Sequence, residues 1–189
     1  MYQPNSNLQI GDILLVRGAS KSSAIIAKKT KGIFSHAMLA IDNGRVIEAI
    51  TDSGVQVTSN YRLVFKDKKN VAILRCKFPD IDTEKEIKKY IVNNYQSYQG
   101  RKYSYSGALK STSTDNQDKT KGKYFCSHLV ADLFIKAGFR VLDKEAHKVT
   151  PNDLIKSTIL EDVTDEVLGT ISGITLNRVQ KKGTEIKCL

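Results

Sequence analysis

Two apolar runs, Ser35 to Ile41 and Arg45 to Ile50, flank the tripeptide Asp42-Asn43-Gly44. Asp, Asn and Gly are the residues that reverse a chain sharply, so the runs read as the arms of an antiparallel hairpin. Side chains alternate across a strand, and loop length therefore decides which residues share a face. A two-residue Asn43-Gly44 loop pairs Met38 with Ala49 and puts Glu48 on the face opposite His36. A three-residue loop, a type I turn with Gly44 left-handed, pairs Met38 with Glu48 and makes His36 its diagonal neighbour. The Asp-Asn-Gly order suits the second option, because Gly then stands where left-handed φ is needed.

Other segments extend this sheet. Ile10 to Arg17 reads as a turn entering a buried strand, followed by a short helix from Ser22 to Lys29 capped by Ser22 or Ser23. Gly54 to Val57 and Val71 to Cys76 are further short strands. A helix starts at a capping box from Thr83 to Glu86, shows one face through Ile87, Tyr90, Ile91, Tyr95 and Tyr98, and ends near Gly100. Its tyrosines repeat at helical spacing, which marks core. Lys110 to Lys123 holds no apolar residue and reads as a mobile loop. Thr150-Pro151-Asn152-Asp153 is a helix start, and a last strand or two is expected between Glu166 and Val179. At 189 residues the chain suits a single domain, assigned to residues 1–180, with 181–189 as a flexible polar tail. The fold class is α+β: an antiparallel sheet packed against helices.

The loop at Lys123 runs into Tyr124-Phe125-Cys126-Ser127-His128-Leu129-Val130, where a helix begins. Apolar residues at 129, 130, 133, 134 and 137 form its buried stripe and turn Cys126 toward the body of the protein. Free cysteines are most often inert core residues. A helix N-terminus, however, favours thiolate over thiol, the form that attacks a carbonyl. Such chemistry also needs a base, a group to orient it and donors for the developing oxyanion. His128 lies about 200° around the helix from Cys126 and is excluded as its partner; His147 sits in a polar segment. His36 is the better base, and Glu48, the one acid of its strand, can orient it if the three-residue loop holds. Glu48 read blandly is a solvated strand residue, which its apolar flanks disfavour.

Composition narrows the setting. The net charge of +10, from 30 Lys+Arg against 20 Asp+Glu, attracts anionic surfaces such as phospholipid headgroups, acidic wall polymers or nucleic acid. The lysines are scattered and no nucleic-acid motif surrounds them, so no nucleic acid is expected. Cys76, Cys126 and Cys188 are odd in number and lack a CxxC pair, so neither a disulfide nor a metal site is expected, and no cofactor is called for. The first residues carry no visible signal peptide, and no stretch reaches transmembrane length.

Taken in order, Gly11-Asp12-Ile13-Leu14-Leu15, Phe34 to Ile41 with Gly44 to Ala49, Tyr103, and Tyr124 to Val130 resemble the circularly permuted NlpC/P60 group of papain-like cysteine hydrolases, in its YiiX/YebB-like branch. The likeness spans about residues 10–155, with the histidine strand before the cysteine helix. It implies a permuted papain-like fold and the catalytic set Cys126 as nucleophile, His36 as base and later acid, and Glu48 as the residue fixing the imidazole. It also implies an oxyanion hole from the Cys126 amide, lined by Tyr103 or Tyr105. His128 departs from the pattern, which has an acid after Cys-Ser. The expected reaction is amide hydrolysis through a thioester, on peptidoglycan peptides, by an effector exported through a specialised system and met by an immunity or carrier protein. The alternative is a phospholipase or lipid acyltransferase in peripheral contact with membrane, and a third reading is a non-catalytic binding module.

Overall fold

A computed structural model describes residues 1–18, 32–111 and 122–171, together with the backbone of 187–188. The expected helix at Ser22 to Lys29, most of the Lys110 to Lys123 loop and residues 181–186 and 189 of the tail lie outside the described residues.

Six strands make the central antiparallel sheet: β2 (Ile13–Val16), β3 (His36–Ala40), β4 (Arg45–Ile50), β5 (Gly54–Ser59), β7 (Val71–Cys76) and β8 (Leu160–Asp162), in the order β5-β4-β3-β2-β7-β8. The hairpin register is the one the three-residue loop requires, with Met38 opposite Glu48. The turn itself differs from the expected one, because Gly44 does not take a left-handed φ. The Asp42 carboxylate instead accepts the Gly44 N–H at 2.8 Å, and the Asn60 N–H donates to the Gly44 carbonyl at 2.8 Å. An Asx turn with an external partner thus closes the loop where a left-handed glycine would otherwise be needed.

Alternation along these strands gives the sheet two apolar faces. Ile13, Leu15, Ala37, Leu39, Ile47, Ala49, Ala72 and Leu74 meet helices α1 (Ile81–Asn94) and α3 (Cys126–Lys136). Leu14, Val16, Met38, Ala40, Val46 and Ile73 face a second layer. There β1 (Tyr2–Pro4) pairs with β9 (Leu168–Thr170) beside β6 (Leu63–Val64), which takes Lys187–Cys188 (β10) as a parallel partner. Burial on both faces explains why these strands read as continuous apolar runs.

Helix α1 begins two residues ahead of the proposed capping box. Asp80 is its N-cap and accepts the Thr83 N–H at 2.7 Å. A carboxylate one turn upstream both accepts that amide and complements the positive end of the helix, so it displaces Thr83 as cap. The chain then narrows to a 3₁₀ turn at Tyr95–Tyr98 and crosses the end of β5. At that crossing Gly54 has φ +71°, and a side chain there would collide with the Arg101 carbonyl, so only glycine permits the approach. The crossing delivers Tyr103 and then the short helix α2 (Tyr105–Lys110). Asp132 of α3 accepts the hydroxyls of Tyr98 at 2.9 Å and Tyr124 at 3.1 Å and pairs with Lys136 at 2.9 Å. This fixes the crossing segment to the cysteine helix. Beyond α3, a four-residue helix α4 (Pro151–Leu154) and another, α5 (Thr164–Val167), complete the fold. The former carries the expected Thr150 cap and Pro151 start, with a reciprocal Thr150–Asp153 box.

Candidate active site

Cys126 is the first residue of α3 and is 3% exposed. Its N-cap neighbour Phe125 brings no side-chain acceptor, so the first-turn amides stay available for other acceptors. One of them is used at once: the Ser127 N–H donates to the Cys126 sulfur, as does the N–H of Ala37 in β3. The sulfur also lies 4.0 Å from the Ser35 carbonyl oxygen.

His36 opens β3, and by alternation its side chain shares a face with Met38 and Glu48. Helix α3 packs on the other face, against Ala37 and Leu39. The imidazole therefore meets the thiol at the open end of β3, where the strand has just begun, and the two side chains are hydrogen-bonded there. Its Nε2 faces the Glu48 carboxylate at 2.8 Å, which leaves Nδ1 for the sulfur.

Glu48 is 1% exposed, and a carboxylate so deeply placed needs partners for both oxygens. One oxygen takes His36. The other accepts the Thr58 hydroxyl at 2.6 Å and the Gln56 amide at 3.1 Å. Gln56 stands directly opposite Glu48 on β5, and Thr58 lies two residues further along the same face. Neither was picked out from the sequence, although the alternation that put His36 beside Glu48 extends to them once β5 is laid next to β4.

The electrostatics follow from this packing. Burial pushes the Cys126 thiol up, but the hydrogen bond and charge of His36, with the two backbone N–H groups, more than reverse it and hold the thiol below its ordinary range. Burial likewise opposes charge on His36, and Cys126 and Glu48 outweigh it, raising the imidazole. Both shifts run toward the charged forms, thiolate on Cys126 and imidazolium on His36. The two residues stand 90 positions apart in the sequence.

Tyr103 is half-buried and pairs its backbone with Tyr124, next to Phe125 and Cys126. Burial, and then the charge of the nearby sulfur, hold its phenol well above the ordinary tyrosine range. The phenol therefore keeps its proton and can donate it in a hydrogen bond. Tyr105 is 46% exposed at the start of α2, two residues beyond Tyr103. His128 points away from the thiol, as the helical spacing requires, and stacks against Tyr124 and Phe125 with ring centroids 4.6 and 5.3 Å away. His147 is buried beside it, at 6.4 Å between centroids.

Residues 7–164 match the family of permuted papain-like amidase enzymes, YaeF/YiiX, C92. This is the permuted papain-like assignment drawn from the sequence, under the C92 heading and not that of NlpC/P60. Among solved structures, the chain resembles YiiX from Escherichia coli O157:H7 with a TM-score of 0.57 and 18% identity, over 85% of this chain and 97% of that one. At that identity the likeness speaks for the fold. No curated protein matches the chain. The YiiX protein is described as a metalloprotein; among the described residues here, no three His, Cys, Asp or Glu side chains are grouped to hold a metal ion.

Proposed function

Because this chain belongs to the permuted papain-like amidases of the C92 family, we propose that Cys126, His36 and Glu48 carry out its amide hydrolysis and that the acyl donor is a peptide of the peptidoglycan type. The observation that supports this reading most is the contact of a buried thiol with an imidazole whose far nitrogen is 2.8 Å from a buried carboxylate. That is the arrangement nucleophilic acyl transfer demands.

The chemistry follows from the positions. The Cys126 thiolate attacks the carbonyl carbon and pushes its π electrons onto oxygen. The Cys126 amide at the helix start and the Tyr103 hydroxyl stabilise that oxyanion. The oxyanion re-forms the carbonyl as the C–N bond breaks, and the His36 imidazolium protonates the leaving amine. A thioester remains at Cys126. Neutral His36 then takes a proton from water, hydroxide adds to the thioester, and the thiolate departs with the carboxylic acid product. Glu48 touches neither substrate nor sulfur; it fixes the tautomer and tilt of the ring and stabilises its charged form.

Choice of substrate rests on charge. A protein of net charge +10 is drawn to a polyanionic wall, and wall peptides offer amide bonds of this kind. Delivery by a specialised secretion route, with an immunity or carrier protein as partner, goes with that substrate. A second reading, a lipid acyl ester as donor, is favoured by exposed apolar side chains near the site, Ile33 at 53% and Tyr105 at 46%. Purified protein incubated separately with peptidoglycan fragments and with phospholipid vesicles decides between them, with Cys126→Ala as control. Release of new amino termini from the fragments by the parent alone supports the first. Release of fatty acid or acyl exchange alone would replace it with the second.

A further inference from the structure

The nucleophile and base come from distant segments, and one four-residue turn holds both. Ser127, next to Cys126 and 0% exposed, donates its hydroxyl to the Val149 carbonyl at 2.7 Å. Three residues later Asn152, 3% exposed, reaches the segment that leads into His36. Its Oδ1 accepts the Phe34 N–H at 3.0 Å, and its Nδ2 donates to the Phe34 carbonyl at 2.7 Å.

Phe34 lies just ahead of β3, so the strand ladder supplies it no neighbour, yet it is buried at 6% exposure. Buried backbone groups must be paired, and the Asn152 amide, offering an N–H and a carbonyl oxygen in one plane, stands in for a missing strand. The fit is close, for a side chain at Gly32 would collide with Asn152. The turn between the two contacts is stiff. Pro151 fixes one φ, the Thr150–Asp153 box closes the start of α4, and Lys144 holds Asp153 at 2.8 Å.

We infer that Asn152 is a positioning residue for the Cys126–His36 pair, and that the turn from Val149 to Asn152 is a clamp setting the separation of nucleophile and base. Ser127 is its arm on the nucleophile side and Asn152 its arm on the base side. Both adjoin the groups they position: Ser127 follows Cys126, and Phe34 precedes Ser35, whose carbonyl lies against the sulfur. Displacements of under an ångström matter to such a pair. The inference rests on the proposed roles of Cys126 and His36.

The test is the pH profile of iodoacetamide alkylation at Cys126, read by peptide mapping in the parent, Asn152→Ala and Ser127→Ala, with thermal melting followed alongside. A loosened clamp weakens the contact with His36, so both variants should need higher pH to form thiolate. Alkylation on the acid side of the parent's own transition should then fall about tenfold, with the alkaline plateau unchanged. Lowered melting temperature with profiles that superimpose on the parent's would reduce Asn152 to a structural residue and overturn the clamp. If Asn152→Ala does not fold, Ser127→Ala, which removes one hydroxyl, decides alone by the same criterion. A parent Cys126 no faster than Cys76 would be a different failure: it would remove the nucleophile assignment itself, and the clamp with it.

Discussion

Cys76 and Cys126 are almost equally hidden from water, at 7% and 3% exposure, and both are free thiols. Cys76 ends β7 on the flank of the sheet near Asp12; burial, followed by that carboxylate's charge, pushes its thiol up to about 12, with only Lys88 pulling the other way. Cys126 sits at a helix start against an imidazole and two backbone N–H groups, and its thiol moves down. Burial alone therefore does not make a cysteine inert or reactive. The partner decides, and burial amplifies whatever the partner does, because a charge interaction strengthens as water is excluded.

The two regions also differ in how their charges are neutralised. Around Cys76 the dominant pair is structural: Arg75 binds Asp12 at 2.8 Å and Glu166 at 2.8 Å, tying the sheet to the segment before β2 and to α5. Around Cys126 the charged partner is titratable. A histidine can give back the proton it holds, which a guanidinium cannot.

The contrast can be broken at several points. Cys126→Ala should abolish turnover, by at least about 10³-fold, whereas Cys76→Ala should leave it within about twofold and cost about 1–2 kcal/mol of stability. Activity assays and chemical denaturation check the two halves, and comparable activity losses from both would erase the distinction. His36→Ala should cost about 10²- to 10⁴-fold in kcat and bring Cys126 alkylation near neutral pH toward the Cys76 rate. Glu48→Gln, which keeps the shape and removes the charge, should lower kcat about 10²-fold with little change in melting temperature; full activity would dismiss it as the group orienting His36.

The pH dependence has a defined sign. The lowered Cys126 thiol is deprotonated from below the ordinary thiol range upward, and the raised His36 stays protonated until about 10. Turnover needs both charges, so kcat/KM should rise through the Cys126 transition, level off and fall as pH passes that of His36. Cys76 alkylation should stay slow until strongly alkaline pH. The smallest effect is expected of Thr58→Val, which removes one of the hydrogen bonds to Glu48 and should cost a few-fold in kcat, about 1 kcal/mol.

What the sequence made legible was local. The hairpin register followed from three loop residues and a period of two, and the start of the cysteine helix from a polar-to-apolar switch with helical spacing. The Thr150 cap was equally plain. Local competition blurred the rest: Asp80 and Thr83 both offer an acceptor to the same helix end, and only the folded chain selects Asp80. Likewise, Gly44 met the pattern for a left-handed turn, but Asn60, sixteen residues on, and the Asp42 side chain close the loop another way. Asn152 was invisible for a further reason. It acts on a segment brought near by the fold and carries no signature of that role in its own surroundings, whereas Thr58 follows from the period of two once β5 is laid beside β4. The resemblance supplied the order of strand and helix, and the register of β3 on β4 supplied the geometry.

The central claim is that the fold makes Cys126 a thiolate through His36. The most direct measurement is the ratio of iodoacetamide alkylation rates at Cys126 and Cys76 near neutral pH, in the parent and in His36→Ala. A ratio of about 10² or more in the parent, collapsing in His36→Ala, is the predicted result. Equal rates in the parent, or a high ratio that survives loss of His36, would contradict the account.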